Sequence, residues 1–329
     1  MDAEGAQWFL TALGDAGELD PTSPEAAREP SQAPPLPTHI LPCSPSCDAL
    51  PDQQAVDILK GMSLARRWQL FRRGMANQRA QSNLKIRPLP SQASSEPTVH
   101  RLLHRHWDAE QVRRMQETAR RLTPPGPGLY ARYLAAAVIR ALHRLYNELG
   151  AQTDAYMITL PMRVGISHPQ SDLLKTRGVP GNYLITPMIC CTPRQAADRR
   201  LLADAIFQQI REYLQNELDL AQWAVMQAAT LIHGWFYPLI FKLSMSVNAM
   251  TSGFSYYTGI QRPLRSIAGA RVTNCWGGGP VPMPPGWNPV FSMFEGKLNL
   301  SLTYERPAIP DDLAGRYADL IEAEAFGSP

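Results

Sequence analysis

The sequence predicts an α/β fold in which helices flank a mixed sheet, and three observations carry that prediction. After residue 98, runs of two-residue apolar period alternate with runs of helical period. Their order is strand, two helices, two strands, two helices, four strands and a helix. The stretch Phe254–Glu305 is dense in short β-prone runs separated by Gly and Pro, and Leu298, Leu300, Leu302 and Tyr304 alternate onto one face. At 329 residues, 44% hydrophobic and 19% charged, the chain has a globular composition and enough length for a substantial core.

The first fifteen residues read as an amphipathic helix with Trp8, Phe9, Leu10 and Leu13 on one side. Residues 16–56 hold nine prolines from Pro21 to Pro51, too little apolar surface to offset ordering entropy, and form a flexible linker. Ala55–Arg79 follows as a helix with Leu64, Trp68, Phe71 and Met75 at helical spacing, and residues 57–98 form the basic amphipathic helix and connection between linker and sheet. Residues 60–95 hold eight Lys and Arg and no acid, so the rest of the chain is net acidic. Such a helix either packs on its own domain, the reading favoured here, or rests on an anionic membrane or acidic partner through residues 60–87.

Val99–Trp107 is a strand, and Asp108 with Gln111 opens a helix whose Val112, Met115, Ala119 and Leu122 share a face. Asp108 is therefore read as a cap, and His104-x-x-x-Asp108 is not read as a catalytic pair. Leu129–Leu149 is a core helix closed by Gly150. Tyr156–Leu160 and Tyr183–Cys191 are strands. Thr192-Pro193-x-Gln195 has the cap, first-turn proline and capping-box glutamine that start a long helix, with Leu202, Ala205, Ile206, Ile210 and Leu214 facing the sheet. Ala221–Met250 is a second helical stretch, broken at Pro238. The C-terminal strands are Phe254–Thr258, Arg271–Trp276, Pro289–Glu295 and Lys297–Tyr304, the last two joined by a tight Glu295-Gly296 hairpin, and Asp311–Phe326 closes the chain as a helix. Trp276 and Trp287 read as buried, on either side of a Gly- and Pro-rich bend that lets backbone approach a strand or ligand closely.

A net charge of +3 with no recognition motif gives no case for nucleic acid. Cys43, Cys47, Cys190, Cys191 and Cys275 form neither a disulfide framework nor a zinc-type double pair, so no metal is expected and a reducing cytoplasm is. No leader is expected from the opening Met-Asp-Ala-Glu, and Leu231–Val247 is too broken by His233, Pro238 and Lys242 to span a membrane.

Phe254–Glu305 also carries a resemblance. Ser255-Tyr256-Tyr257-Thr258-Gly259, Ile267-Ala268-Gly269-Ala270-Arg271-Val272, Gly279-Pro280-Val281 and Ser292-Met293-Phe294-Glu295-Gly296 follow one another as do the late motifs of chloramphenicol-acetyltransferase-like acyltransferases. Within that superfamily, which includes condensation domains, the chain most resembles bacterial wax ester synthase/diacylglycerol acyltransferases. Tyr256 stands where Asn is usual, and Pro124-Pro125-Gly126-Pro127-Gly128 where a small Asn-Asp element is usual. Arg163 at a strand end and Gly181-Asn182 match further family elements. Asp2-Ala3-Glu4-Gly5 with Trp8-Phe9-Leu10 resembles the second half of the His-His-x-x-x-Asp-Gly motif and its helix, which would set both histidines ahead of Met1.

The resemblance implies a chloramphenicol-acetyltransferase-like fold of two facing halves. Residues 1–15 would be the tail of the first half and 99–329 the whole of the second. It implies O-acyl transfer from acyl-CoA, a cosubstrate and not a bound cofactor, to an alcohol such as a fatty alcohol or diacylglycerol. A His general base would deprotonate the acceptor while Asp2 orients its surroundings, and activity is expected to be impaired because that histidine is not among the matched residues. Arg163, Gly181, Asn182, Ser255, Tyr256, Gly259, Trp276 and Trp287 are expected along the substrate channel. Two alternatives are condensation-type transfer from acyl-pantetheine on a carrier protein, with an alcohol or amine acceptor, and a non-catalytic binding module.

Overall fold

The computed structural model describes residues 59, 61–82, 86–87, 89, 97–163, 184–230, 250–257, 266–267, 270–279, 281 and 286–327. The expected helix at 1–15, the linker at 16–56 with Cys43 and Cys47, and the later part of Ala221–Met250 lie outside these residues. The chain forms two compact units, the larger from residues 61–171, 183–259 and 274–329 and the smaller from 1–60, 172–182 and 260–273.

Helix α1 spans Leu64–Ser82, a later start than the expected Ala55. Gly61 takes a left-handed φ of 88° and the Ser63 hydroxyl accepts the Arg66 N–H at 3.3 Å, which fixes Ser63 as the cap. The buried face of α1 also differs from expectation. Leu70 and Gly74 are buried, whereas Leu64, Trp68 and Met75 are 85%, 61% and 45% exposed. The reason lies in the partner helix, because Gly74 leaves room for the backbone of Ala221 and Glu217 pairs with Arg66 and Arg73. Those contacts turn the apolar stripe outward.

Strand β1 (Val99–Trp107) and helix α2 (Ala109–Leu122) follow the sequence reading closely. Asp108 and Gln111 make the reciprocal capping box, so Asp108 is a cap in the structure too. Helix α3 (Leu129–Glu148) is the centre of the core, with Leu134, Ile139, Leu142 and Tyr146 buried. Its first turn is secured from inside: buried Arg132 donates through Nε to the Pro127 carbonyl at 3.1 Å and through Nη2 to those of Pro124 and Gly126 at 2.9 and 3.1 Å.

Strands β2 (Tyr156–Thr159), β3 (Met162–Arg163), β4 (Leu184–Ile185) and β5 (Met188–Cys191) come next. The expected single strand Tyr183–Cys191 is divided at Thr186-Pro187, where proline has no N–H to offer a ladder. Consequently β4 pairs with β3, and β5 pairs antiparallel with β2. The long helix expected from Thr192 is divided as well. Its capping box opens only the five-residue α4 (Pro193–Ala197). Extended Asp198 then caps α5 (Arg199–Gln215), its carboxylate accepting the N–H groups of Arg200 and Leu201 at 2.8 and 3.0 Å. Helix α6 spans Leu218–Thr230 and packs against α1.

The C-terminal elements are β6 (Ser255–Tyr257), β7 (Ser266–Ile267), β8 (Ala270–Arg271), β9 (Trp287–Phe294), β10 (Lys297–Arg306) and α7 (Asp311–Phe326). The smaller unit holds the β7–β8 hairpin. In the larger unit the order is β1-β10-β9-β6, antiparallel except for β6, which runs parallel to β9. This is the expected mixed sheet with flanking helices. A parallel bridge from Ile158 to Ser252 joins the β2–β5 pair to the residues leading into β6. Glu295 and Gly296 close the β9–β10 hairpin with φ of 46° and 79°, the paired left-handed geometry of a two-residue turn. One face of the sheet, with Trp287, Phe291, Leu298, Leu300 and Leu302, joins the helices in a continuous core.

Candidate functional site

The opposite face of the same sheet is polar, and it is the best candidate for a site. Strand alternation that sends leucines inward sends Asn299, Ser301 and Thr303 of β10 to the other side. Register completes the rows: His106, Asn299 and Ser292 lie abreast, as do His104, Ser301 and Val290, and Leu102, Thr303 and Asn288. Asn288, Ser292, Asn299 and Ser301 are all buried.

They are buried because Asn274–Gly279 crosses over them as a strap. The expected strand Arg271–Trp276 is not formed beyond Arg271, and the strap bonds through side chains instead. The Asn274 and Asn299 amides exchange two hydrogen bonds, of 2.8 and 3.0 Å. Thr303 Oγ1 donates to the Gly279 carbonyl at 3.0 Å. A Cβ on Gly279 would sit 2.6 Å from Asn288 Nδ2, so only glycine allows the strap to lie this close. The expected close approach of the Gly-rich bend is thus made to strands.

His104 and His106 are both ionisable groups of this face, and His104 is the one bonded to Asn299. The His104 Nε2 is 3.3 Å from Asn299 Oδ1, an oxygen that also accepts from Asn274, so Nε2 carries the proton and Nδ1 keeps its lone pair. Burial pushes its pKa down; the Asn299 hydrogen bond opposes this and the nearby His106 adds to it. The imidazole is therefore neutral at pH 7. Trp276 stacks on it with centroids 4.3 Å apart, and His106 lies 6.0 Å beyond. The Ser292 and Ser301 hydroxyls are buried without a hydrogen-bond partner. Two unsatisfied hydroxyls, paired amides and a neutral imidazole can hold a carbonyl or hydroxyl and accept a proton, and a half-buried thiol, Cys275, lies in the strap with its pKa raised by desolvation.

Of the residues expected along a channel, Ser255 starts β6 on this polar side, opposite Val290, and Trp276 caps His104. Trp276 is 46% exposed, not buried as expected, because the strap lays its ring on the outside of the sheet. Tyr256 pairs with Phe291 and packs on the helix-covered core, where burial pushes its pKa up to about 12. Trp287 is fully buried in that core, its indole N–H donating to the Thr251 carbonyl at 2.9 Å and its ring against Tyr317. Arg163 ends β3 opposite Leu184. Asp2, Gly181, Asn182 and Gly259 lie outside the described residues. The structure thus brings Ser255 and Trp276 to one face and sets Tyr256 and Trp287 on the other.

Asn274, Ser292, Asn299 and Ser301 were not among the expected residues. The signal for the last three was present as the polar half of the leucine alternation. Among the described residues no three His, Cys, Asp or Glu side chains converge as metal ligands would, and no helix is long and apolar enough to cross a membrane.

No protein-family model matches the chain, and no curated protein matches it in sequence. Solved structures do match in fold. Trichothecene 15-O-acetyltransferase from Fusarium sporotrichioides aligns with a TM-score of 0.55 at 12% identity over 80% of this chain and 53% of its own. The epimerization domain from the third module of tyrocidine synthetase B gives 0.52 at 14% identity, over 79% and 55%. A condensation domain of the enacyloxin polyketide synthase gives 0.50 at 14% identity, over 81% and 48%. The chain has the chloramphenicol-acetyltransferase-like fold, and it spans about half the length of these structures.

Proposed function

We propose that this chain serves acyl transfer from a thioester to a hydroxyl or amine, with the polar sheet face beneath the Asn274–Gly279 strap forming a wall of the substrate site. The observation that carries the reading is that face itself: unsatisfied Ser292 and Ser301 hydroxyls beside a neutral His104, in a fold shared with an O-acetyltransferase. In the reaction, a general base takes the acceptor proton, the acceptor oxygen or nitrogen attacks the thioester carbonyl, and the carbon–sulfur bond breaks. The thiolate then leaves and is protonated, while hydrogen-bond donors steady the oxyanion. The favoured donor is acyl-CoA and the favoured acceptor a fatty alcohol or diacylglycerol, on the motif resemblance. The fold shared with a condensation domain favours a second donor, acyl-pantetheine on a carrier protein, for which an amine acceptor is equally suited.

The motif's histidines are not among the residues matched here, so thioester binding is the direct test and turnover is expected to be slow. A thioether analogue of acyl-CoA, titrated by calorimetry, is expected to bind saturably. Trp276→Ala is expected to weaken that binding about tenfold or more, the loss of one aromatic contact, without changing the melting temperature. Saturable binding of carrier-bound acyl-pantetheine in place of acyl-CoA assigns the second donor. Absence of binding to either thioester overturns the reading.

A further inference from the structure

Helix α1 carries an apolar face on which Leu64, Trp68 and Met75 are exposed and Phe71 is half-buried. Leu64, Trp68, Phe71 and Met75 recur at intervals of four, three and four and share one stripe. Trp68 and Phe71 stack with ring centroids 5.3 Å apart. The side of α1 that packs is a different one, where Leu70 is buried, Gly74 meets α6 and Glu217 pairs with Arg66 and Arg73. Arg72 and Arg79 flank the stripe on the side away from α6, both exposed. A shallow, open depression lined by Ala65, Trp68, Gln69, Arg72 and Arg73 lies beside the Trp68 ring.

We infer that this face of α1 docks on an anionic lipid surface. Two properties select that occupant. Residues 60–95 contain eight basic side chains and no acid, and among the described residues Glu217 meets Arg66 and Arg73 on the side that packs, not on the stripe. The apolar side chains are also those that seat at a bilayer interface: a Trp and Phe pair whose rings tolerate the headgroup level, and Leu and Met that reach the acyl boundary. Arg72 and Arg79 are then placed to meet lipid phosphates while their stems lie along the apolar surface. The helix rests in the interface plane and does not cross it. This inference stands apart from the acyl-transfer reading.

Co-sedimentation of the full chain tests it, with vesicles of phosphatidylcholine alone and of phosphatidylcholine mixed with phosphatidylserine. Binding is expected to the anionic vesicles, to fall steeply with added salt and to be weak on the neutral ones. Arg72→Ala with Arg79→Ala is expected to weaken it about tenfold or more. Trp68→Glu is expected to abolish it. Leu64→Glu is a second apolar-face variant that suits a first helical turn, and melting temperatures of all variants are expected to match the parent because the altered side chains are exposed. No sedimentation, equal binding to both vesicle kinds, or binding indifferent to these variants overturns the inference. So does a mass in solution that halves in Trp68→Glu, which assigns the face to a second copy of the chain.

Discussion

Glu324 shows how a single side chain can anchor several helices. Its carboxylate, with only 6% of the side chain exposed, accepts from Arg140 Nε at 2.6 Å, Arg199 Nη2 at 3.0 Å and Arg144 Nη1 at 3.2 Å. Burial alone would raise its pKa, but the hydrogen bonds from Arg140 and Arg199, with the Arg140 charge and the Arg144 bond, hold it below the usual carboxylate range. Glu324→Gln strands buried guanidinium charge and is expected to lower unfolding free energy by about 3–5 kcal/mol, read from urea denaturation. The arginines lie 125 to 184 positions before Glu324, so nothing local in the sequence announced the cluster. The buried serines of the polar face predict the opposite sign. Ser301 Oγ has no partner, so Ser301→Ala removes a desolvated hydroxyl and is expected to leave stability unchanged or raise it by about 1 kcal/mol in the same assay. A clear loss of stability in Ser301→Ala would mean that the hydroxyl is bonded in solution.

The best-read elements were those with a clean period and a cap: β1 and α7 have the expected bounds, and the Asp108 and Thr192 boxes form as expected. Misreadings came where the period continues across a break. The apolar spacing runs on through Asp198, which hid the second cap between α4 and α5, and alternation runs on through Pro187. The apolar stripe of α1 was visible, but its direction depended on Gly74 and Glu217, whose partners are remote in sequence. The strap was legible only as a Gly-rich approach, because its hold is made by side-chain amides and not by a strand ladder. Gly279→Val would place branched carbon against Asn288 and lift the strap, at about 1–3 kcal/mol of stability. Uncovered, His104 loses the burial that depresses its pKa, so its NMR titration midpoint is expected to rise toward about 6.5. A midpoint unchanged in Gly279→Val would show that the strap is not what shields the imidazole.

At the scale of the whole molecule, the mixed sheet was legible because element order and strand alternation are properties of the sequence itself. Site composition was not, because the polar face joins residues from β1, β9, β10 and the strap through register and crossing. The ionisable groups distributed over this fold also set a common direction for stability. Burial pushes the pKa of His104 down, and burial with the Arg140 charge does the same for His143. The unfolded chain therefore binds more protons than the folded one just below about pH 6.5, and stability falls as pH drops through the folded histidine values. Acidification then removes the contribution of Glu324, which is complete above the ordinary carboxylate range and is lost as pH falls through its depressed value. On the alkaline side, burial raises Cys190 and Cys191 to about 12, and Tyr156 and Tyr304 likewise to about 12. Their unfolded counterparts ionise from about pH 8.5 for the thiols and about pH 10 for the phenols, so stability declines again as pH rises past those values. The urea midpoint is accordingly expected to be highest between about pH 7 and 8.5 and to fall on both sides. A maximum near pH 5 would require His104 and His143 to be stabilised as cations by the fold. That outcome would contradict the neutral imidazole on which the chemistry of the polar face depends.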